Sequence, residues 1–396
     1  SVAYFVSADD GDDSASGAHQ NAPWKTLPHA QAMAREAIHQ GKHVTVNLQG
    51  TFRLNQTLAF DSRDSGSVWK AAGPGTPAQI TASVDIPLKS FQPVDDPRLP
   101  TAARGKVISA KLSDVAPGLA VGGGFAGWTY RELDRLEVFA ANKTMTLARF
   151  PNSGAVVPGS VFVGYATASE GFHVAEPPKS TSQQATRSAC SCPLRFGLCP
   201  TACMPNGKAN AVSWAGAPGA GGMDGRPERW ASMGPTPQLA VHGAWRFEWA
   251  DQMINVAAIN LTNRTFVFDE QKSAAVHYWP PQLGAPYYVL DLLQELDTPG
   301  EWWLDRASGE LFVWPPEGLE VDDSIQLSTA LAAPTDLPQE TLGASTTATS
   351  EPTQHLSATS EPTLVLMDSV TDFDWSGIAI GRSRGVGMIL NNCSNV

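Results

Sequence analysis

Two aspartates flank one phenylalanine near the C-terminus, in Asp372-Phe373-Asp374. Paired carboxylates can act on a glycosidic bond as acid and base, or as acid and nucleophile. Residues two apart on a strand face one side, with Cα atoms roughly 6–7 Å apart. A retaining glycosidase holds its carboxyl groups about 5–5.5 Å apart, so the spacing is compatible with that chemistry. The plainer reading is a polar turn ahead of a strand at Trp375, and it leaves Asp372 and Asp374 as weak catalytic candidates. No other catalytic residue is singled out.

Other chemistry-bearing types cluster elsewhere. Four of the five cysteines fall in "CSCPLRFGLCPTAC", as Cys190, Cys192, Cys199 and Cys203. Their C-x-C-x6-C-x3-C spacing is not a standard zinc pattern. Disulfides are expected in a loop of about 188–205 that is rich in Pro and has little core. Cys190 and Cys192 are too close to pair with each other. That leaves 190–199 with 192–203, or 190–203 with 192–199, and Cys393 is the odd one out. His39 and His43 stand four apart, but Gly41 interrupts any helix between them, so no metal site is expected. The Asp/Gly stretch at 9–13 lacks EF-hand spacing and reads as a solvated turn. No nucleophile elbow, P-loop or dinucleotide fingerprint occurs, and no cofactor is expected.

Asn-x-Ser/Thr sequons occur at Asn55, Asn142, Asn260, Asn263 and Asn392. Each alone is a common polar triplet. Together with the cysteine cluster they point to a secreted, extracellular or cell-surface glycoprotein.

The chain has 396 residues and a net charge of −12, which argues against nucleic acid as a partner. Its hydrophobic content of 42% is that of a globular chain, and no apolar run reaches the roughly 18–20 residues of a membrane span. The 35 glycines and 30 prolines imply many turns and few long helices.

The elements that must position these groups are mostly strands. Tyr4–Ser7 reads as a strand, followed by an Asp/Gly/Ser loop and a helix from about Leu27 to His39. Ala30, Met33, Ala34, Ala37 and Ile38 fall on one helical face. Short strands follow at Val44–Leu48 and Phe52–Leu54, separated by Gly50. From about residue 91 to 331 the pattern is hairpins, with turns at 141–143, 260–263 and 306–309. In the last hairpin, "EWWLDRASGELFVWPP", Trp302 and Leu304 share one face and Trp303 takes the other. Cross-strand packing accounts for these tryptophans and for Trp314 without a bound sugar. Residues 341–363 repeat "ATSEPT" and read as a Ser/Thr/Pro-rich loop or linker. Strands return at Leu364–Met367, Trp375–Ile380 and Gly387–Leu390, each followed by a tight polar turn.

The stretch "YFVSADDGDDSASGAHQNAPWKTLPHAQ" resembles the opening of right-handed parallel β-helix, pectin-lyase-like extracellular proteins. "GTFRLNQTLAFDSRDSG", "LARFPN", "HGAWRFEWAD", "LDTPGEWWLDRASGELFVWPP" and "DFDWSGIAIGRSRGVGMILNNCSNV" continue in the order of a β-helix group. That group includes glycoside hydrolases of the fucosidase/xylanase type. The resemblance implies a mainly β fold: the start of a right-handed parallel β-helix with an N-terminal capping helix and a large β-rich insertion. Residues 1–90 would form the cap and first rungs, 91–340 the inserted domain, 341–363 the linker and 364–396 further rungs.

In that group the catalytic carboxylates lie on rungs beyond the segment matched here, so none is carried over. The implied function is the N-terminal portion of a polysaccharide-acting or polysaccharide-binding protein, this segment itself being non-catalytic. The alternative is a structural glycoprotein of a wall, matrix or surface filament. A solenoid rung needs neighbours, so continuing chain or another protein is expected to cover the C-terminal edge.

Overall fold

The computed structural model describes residues 1–73, 75–122, 126–128, 135–152, 211–213, 225–232, 238–244, 251–262, 265–269, 287–332 and 363–396. The cysteine cluster at 190–203, the repeat at 341–362 and Asn263 lie outside the described residues. The protein is mainly β with few helices, and its sheets are mixed, with parallel ladders near both chain ends and mostly antiparallel ones between.

Three parallel ladders carry the terminal segments. In the first, strand Val44–Arg53 pairs through its N-terminal half with Val2–Ser7 on one side and Val68–Ala71 on the other. Asp374–Ser376 then pairs with Val68–Ala71. In the second, the C-terminal half of Val44–Arg53 pairs with Ala78–Thr81, which pairs with Ile378–Gly381. In the third, Leu58–Phe60 pairs with Thr363–Asp368, which pairs with Val386–Asn391. The chain therefore visits the ladders in the same order on each pass. Thr45 lies opposite Val68, Val365 opposite Met388 and Thr371 opposite Ser394, a step of 23 residues each time.

Apolar residues at alternate positions fill the space between the ladders. Val44, Val46, Leu48, Phe52, Phe60, Trp69, Ile80, Val365 and Met367 are buried in one cluster. The Phe60 ring meets Trp69 edge-on at 5.0 Å and Phe373 at 5.2 Å. Packing of this kind, with strand hydrogen bonds above and below, is what a short strand needs in order to persist.

Helix Leu27–His39 covers this core and has the bounds that the sequence predicts. Thr26 caps it, accepting from the His29 amide, and Pro28 occupies the first turn, where its missing N–H costs nothing. The Asp13 carboxylate accepts from the Lys25 and Thr26 amides at 2.8 and 2.9 Å and from the Thr26 hydroxyl at 2.7 Å. The acidic loop is thus stapled to the helix start. Ala30, Ala34 and Ala37 are buried as expected, with Leu27 beside them, but Met33 is 37% exposed. Gln31 is buried instead, because its amide donates to the Ala59 carbonyl at 2.7 Å.

Val44–Arg53 is one continuous strand, where the sequence predicts two. Gly50, at φ 88°, turns it from the first ladder into the second. Gly377, at φ 69°, makes the same turn between Asp374–Ser376 and Ile378–Gly381.

Between Thr81 and Thr363 the chain leaves the parallel ladders. It leaves and returns at one place: Ser83 lies opposite Ser328, and the Thr329 amide donates to the Ala82 carbonyl at 2.8 Å. Ser83–Pro87 and Ser324–Ser328 join Val138–Ala140 and Lys143–Thr144 in an antiparallel sheet. Glu301–Asp305 and Glu310–Val313 form the expected hairpin. Trp302 and Leu304 pack with Leu311, Val313, Ile86 and Ile325 on one face, while Trp303, Phe312 and Trp314 pack with Leu99, Leu293 and Leu296 on the other. The tryptophans are core, as the alternation predicts. The hairpin expected to turn at 260–263 also forms, from Asp251–Asn260 and Thr265–Phe268.

The corner glycines give a graded test. An added Cβ at Gly50 would lie 2.8 Å from Asp9 Oδ2 and 3.2 Å from the Ala8 Cβ, whereas at Gly41 (φ 74°) it meets nothing within 4 Å. Gly41→Ala is expected to cost about 1–2 kcal/mol from backbone conformation alone. Gly50→Ala should cost roughly 3 kcal/mol or more, since crowding adds to the strain. Urea unfolding of both variants, monitored by tryptophan fluorescence, checks the ranking.

Candidate functional site

Asp374 is the first residue of strand Asp374–Ser376, and Asp372 lies before it in a left-handed turn at φ 52°. The two-residue strand repeat therefore does not relate the two carboxylates, although both are exposed. Asp372 Oδ1 accepts from Asn395 Nδ2 at 2.7 Å. Two further bonds repeat that step of 23 residues: Asn391 Nδ2 donates to Asp368 Oδ1 at 3.0 Å and Asn392 Nδ2 to Ser369 Oγ at 3.3 Å. Asp372 thus belongs to a side-chain ladder that ties successive passes of the chain together.

His39 closes the helix and His43 precedes the next strand, both exposed, with Gly41 at φ 74° between them. The Cys393 thiol is half-buried beside the Met367 and Asn391 carbonyls, at 3.4 and 3.2 Å. Of the described sequons, Asn55, Asn142 and Asn392 are exposed and Asn260 is half-buried at a strand end.

A polar cleft of about 450 Å³ lies where the inserted sheet meets the parallel ladders. Strand Ser83–Pro87 supplies Asp85, strand Ser324–Ser328 supplies Ser324 and Gln326, and the preceding loop supplies Leu319, Asp322 and Asp323. Ala141 and Asn142 close it; both are left-handed, as a two-residue hairpin turn requires. Two arginines from the ladders brace the rim. Arg53 is ion-paired with Asp85, and Arg382 donates to Asn142 Oδ1. Burial lowers the Arg382 pKa, with Asp85 opposing the shift and Arg53 adding to it. Asp85 Oδ1 is itself buried, with no hydrogen-bond partner among the described residues. The lining is mostly acceptor groups, which suits a neutral polyhydroxylated ligand and repels a polyanion.

A second buried ionisable group lies within the insertion. Glu301 is 4% exposed, and its Oε2 accepts from the Asp297 and Thr298 amides at 2.9 and 3.1 Å. Its pKa is pushed up to about 8, chiefly by burial, with the Asp297 charge adding to the rise. The two amides and the Arg149 charge oppose it without prevailing. Nothing in "PGEWW" marks this carboxyl, because its burial depends on partners far along the chain.

Arg384 is another residue the sequence does not reveal. It is 1% exposed in the turn after Ile378–Gly381, and it reaches into the insertion. Its guanidinium donates to the Ser328 carbonyl at 3.0 Å and to the Ala120 carbonyl.

No protein-family model matches the sequence, and no curated protein sequence matches it either. A solved structure described as "Glycoside hydrolase" is similar in fold, with a TM-score of 0.52 at 13% identity. The similarity covers 94% of this chain and 50% of that one. The fold is thus glycoside-hydrolase-like, and the chain spans about half the length of that protein.

Glu301 predicts a pH dependence whose sign is opposite to that of an ordinary ion-paired carboxylate. Its folded pKa, about 8, lies above the ordinary glutamate value of 4.5, so the folded state holds a proton that the unfolded chain has lost. Stability should therefore fall as pH rises between those values. Glu301→Gln keeps an acceptor and removes the charge. It should flatten this slope and gain roughly 1–3 kcal/mol relative to wild type near pH 8. Urea midpoints measured from pH 5 to pH 8 for both proteins check it.

Proposed function

We propose that this chain is the N-terminal portion of a secreted protein, built on a right-handed parallel β-helix, that acts on or binds polysaccharide. The observation that carries the reading is the likeness of nearly the whole chain to half of a glycoside hydrolase. Three parallel ladders visited in a fixed order, with a 23-residue step and side chains bonded across it, support the β-helix scaffold. Such a scaffold offers long faces on which successive sugar units can lie.

The segment itself is proposed to be non-catalytic. Sugar hydrolysis needs an acid and a nucleophile or base aimed at one glycosidic bond. Asp372 spends one oxygen on Asn395, in a turn off the strand that begins at Asp374, which supports a structural role.

A polysaccharide panel tests both parts. Affinity electrophoresis should show retardation by at least one neutral polysaccharide, and reducing-sugar release should stay at background. Turnover that disappears in an Asp372→Asn, Asp374→Asn variant would overturn the non-catalytic assignment. Retardation by no polysaccharide would instead favour a structural glycoprotein that uses the scaffold for assembly.

A further inference from the structure

We propose that Asn142 carries an N-linked glycan and that the first sugars of this glycan lie in the polar cleft beside it. This rests on the secretory reading given above. Asn142-Lys143-Thr144 is a sequon whose Asn is exposed at the tip of a hairpin turn, at φ 62°. Of the four described sequons, it is the one whose asparagine lines the cleft.

The amide is already oriented. Arg382 holds Oδ1, while Nδ2 makes no hydrogen bond among the described residues. In the transfer, Nδ2 bonds to C1 of a sugar carried on a polyprenyl diphosphate. The C1–O bond to phosphate breaks, the diphosphate leaves with the electron pair, and the amide loses one proton. Nothing is oxidised or reduced. The Oδ1 acceptor is not consumed, so once the chain has folded the Arg382 bond fixes the direction in which the sugar departs.

The lining explains why the occupant would be tethered. Asp322, Asp323, Ser324 and Gln326 offer polar partners for sugar hydroxyls. Leu319 and Ala141 are the apolar side chains of the lining, and it contains no aromatic platform. Polar groups alone trade water for hydroxyls at little net gain, so a free sugar would bind weakly. A sugar bonded to Asn142 has already lost its translational freedom and sits at high effective concentration, so small gains suffice. The attached glycan would bridge the parallel ladders, through Arg382, and the inserted sheet, through residues 318–326.

The test uses the full chain expressed through a eukaryotic secretory route with an added leader. Glycopeptide mapping should find Asn142 occupied. Thr144→Ala removes the sequon and keeps the Asn142 side chain. It should raise amide hydrogen exchange across residues 318–326 severalfold, whereas Ser394→Ala, which removes the Asn392 sequon, should leave that segment unchanged. Asn55 or Asn392 occupied with Asn142 bare would overturn the proposal and leave the secretory reading standing. Asn142 occupied, with exchange in 318–326 unaltered by Thr144→Ala, would overturn the placement of the sugar in the cleft. Bare asparagine at every sequon would overturn the proposal and the secretory reading together.

Discussion

Everything else in the molecule depends on one closure: the long excursion after Thr81 must end where it began. Leu58–Phe60 and Thr363–Asp368 are neighbours in the third ladder, and that ladder exists only if the chain returns to the point of departure. The antiparallel pairing of Ser83–Pro87 with Ser324–Ser328 brings this about. Arg384 then secures the junction from the far side, by donating from the parallel ladders to Ser328. Burying a guanidinium is costly unless its donors are met, and here carbonyl groups of the insertion meet them. The junction is therefore built from backbone pairing and charge-assisted bonds, while the apolar clusters lie on either side of it.

The two sides use apolar residues differently. Between the parallel ladders, each pass adds alternate inward residues to a common interior, and Trp69, Phe60 and Phe373 interlock by ring edges. In the insertion a single hairpin is buried on both faces, so adjacent tryptophans 302 and 303 serve two separate cores. A strand buried on both sides loses the polar alternation of an ordinary surface strand. That loss accounts for the unusual density of aromatic residues in this stretch.

Much of this was legible in the chain because local chemistry decided it. The helix at 27–39 is marked by apolar spacing, and the 301–314 hairpin by alternation around a Gly-containing turn. Periodicity nevertheless chose Met33 for the buried face, whereas a specific bond to Ala59 places Gln31 there. Gly50 reads as a break between strands, but a strand can bend at a left-handed glycine and keep both ladders paired. The parallel pairing of Thr146–Leu147 with Glu301–Trp302 had no local signature. The cleft was hidden for the same reason: Asp85, Asn142 and Asp322 meet only through tertiary structure.

The return of the chain to its point of departure also bears on the order of folding. The Thr57 hydroxyl donates to the Thr363 carbonyl, a contact 306 residues apart in sequence. Made from an open coil, it would be slow, since distant contacts reward the chain only after a large loop has closed. With Ser83 already paired to Ser328, the remaining closure spans 61 residues, 26 before Ser83 and 35 after Ser328. Loop-closure entropy then falls by about 1.4 kcal/mol, close to a tenfold gain in local encounter. An inserted sheet that paired first would thus shorten the loop that the flanking ladders have to close.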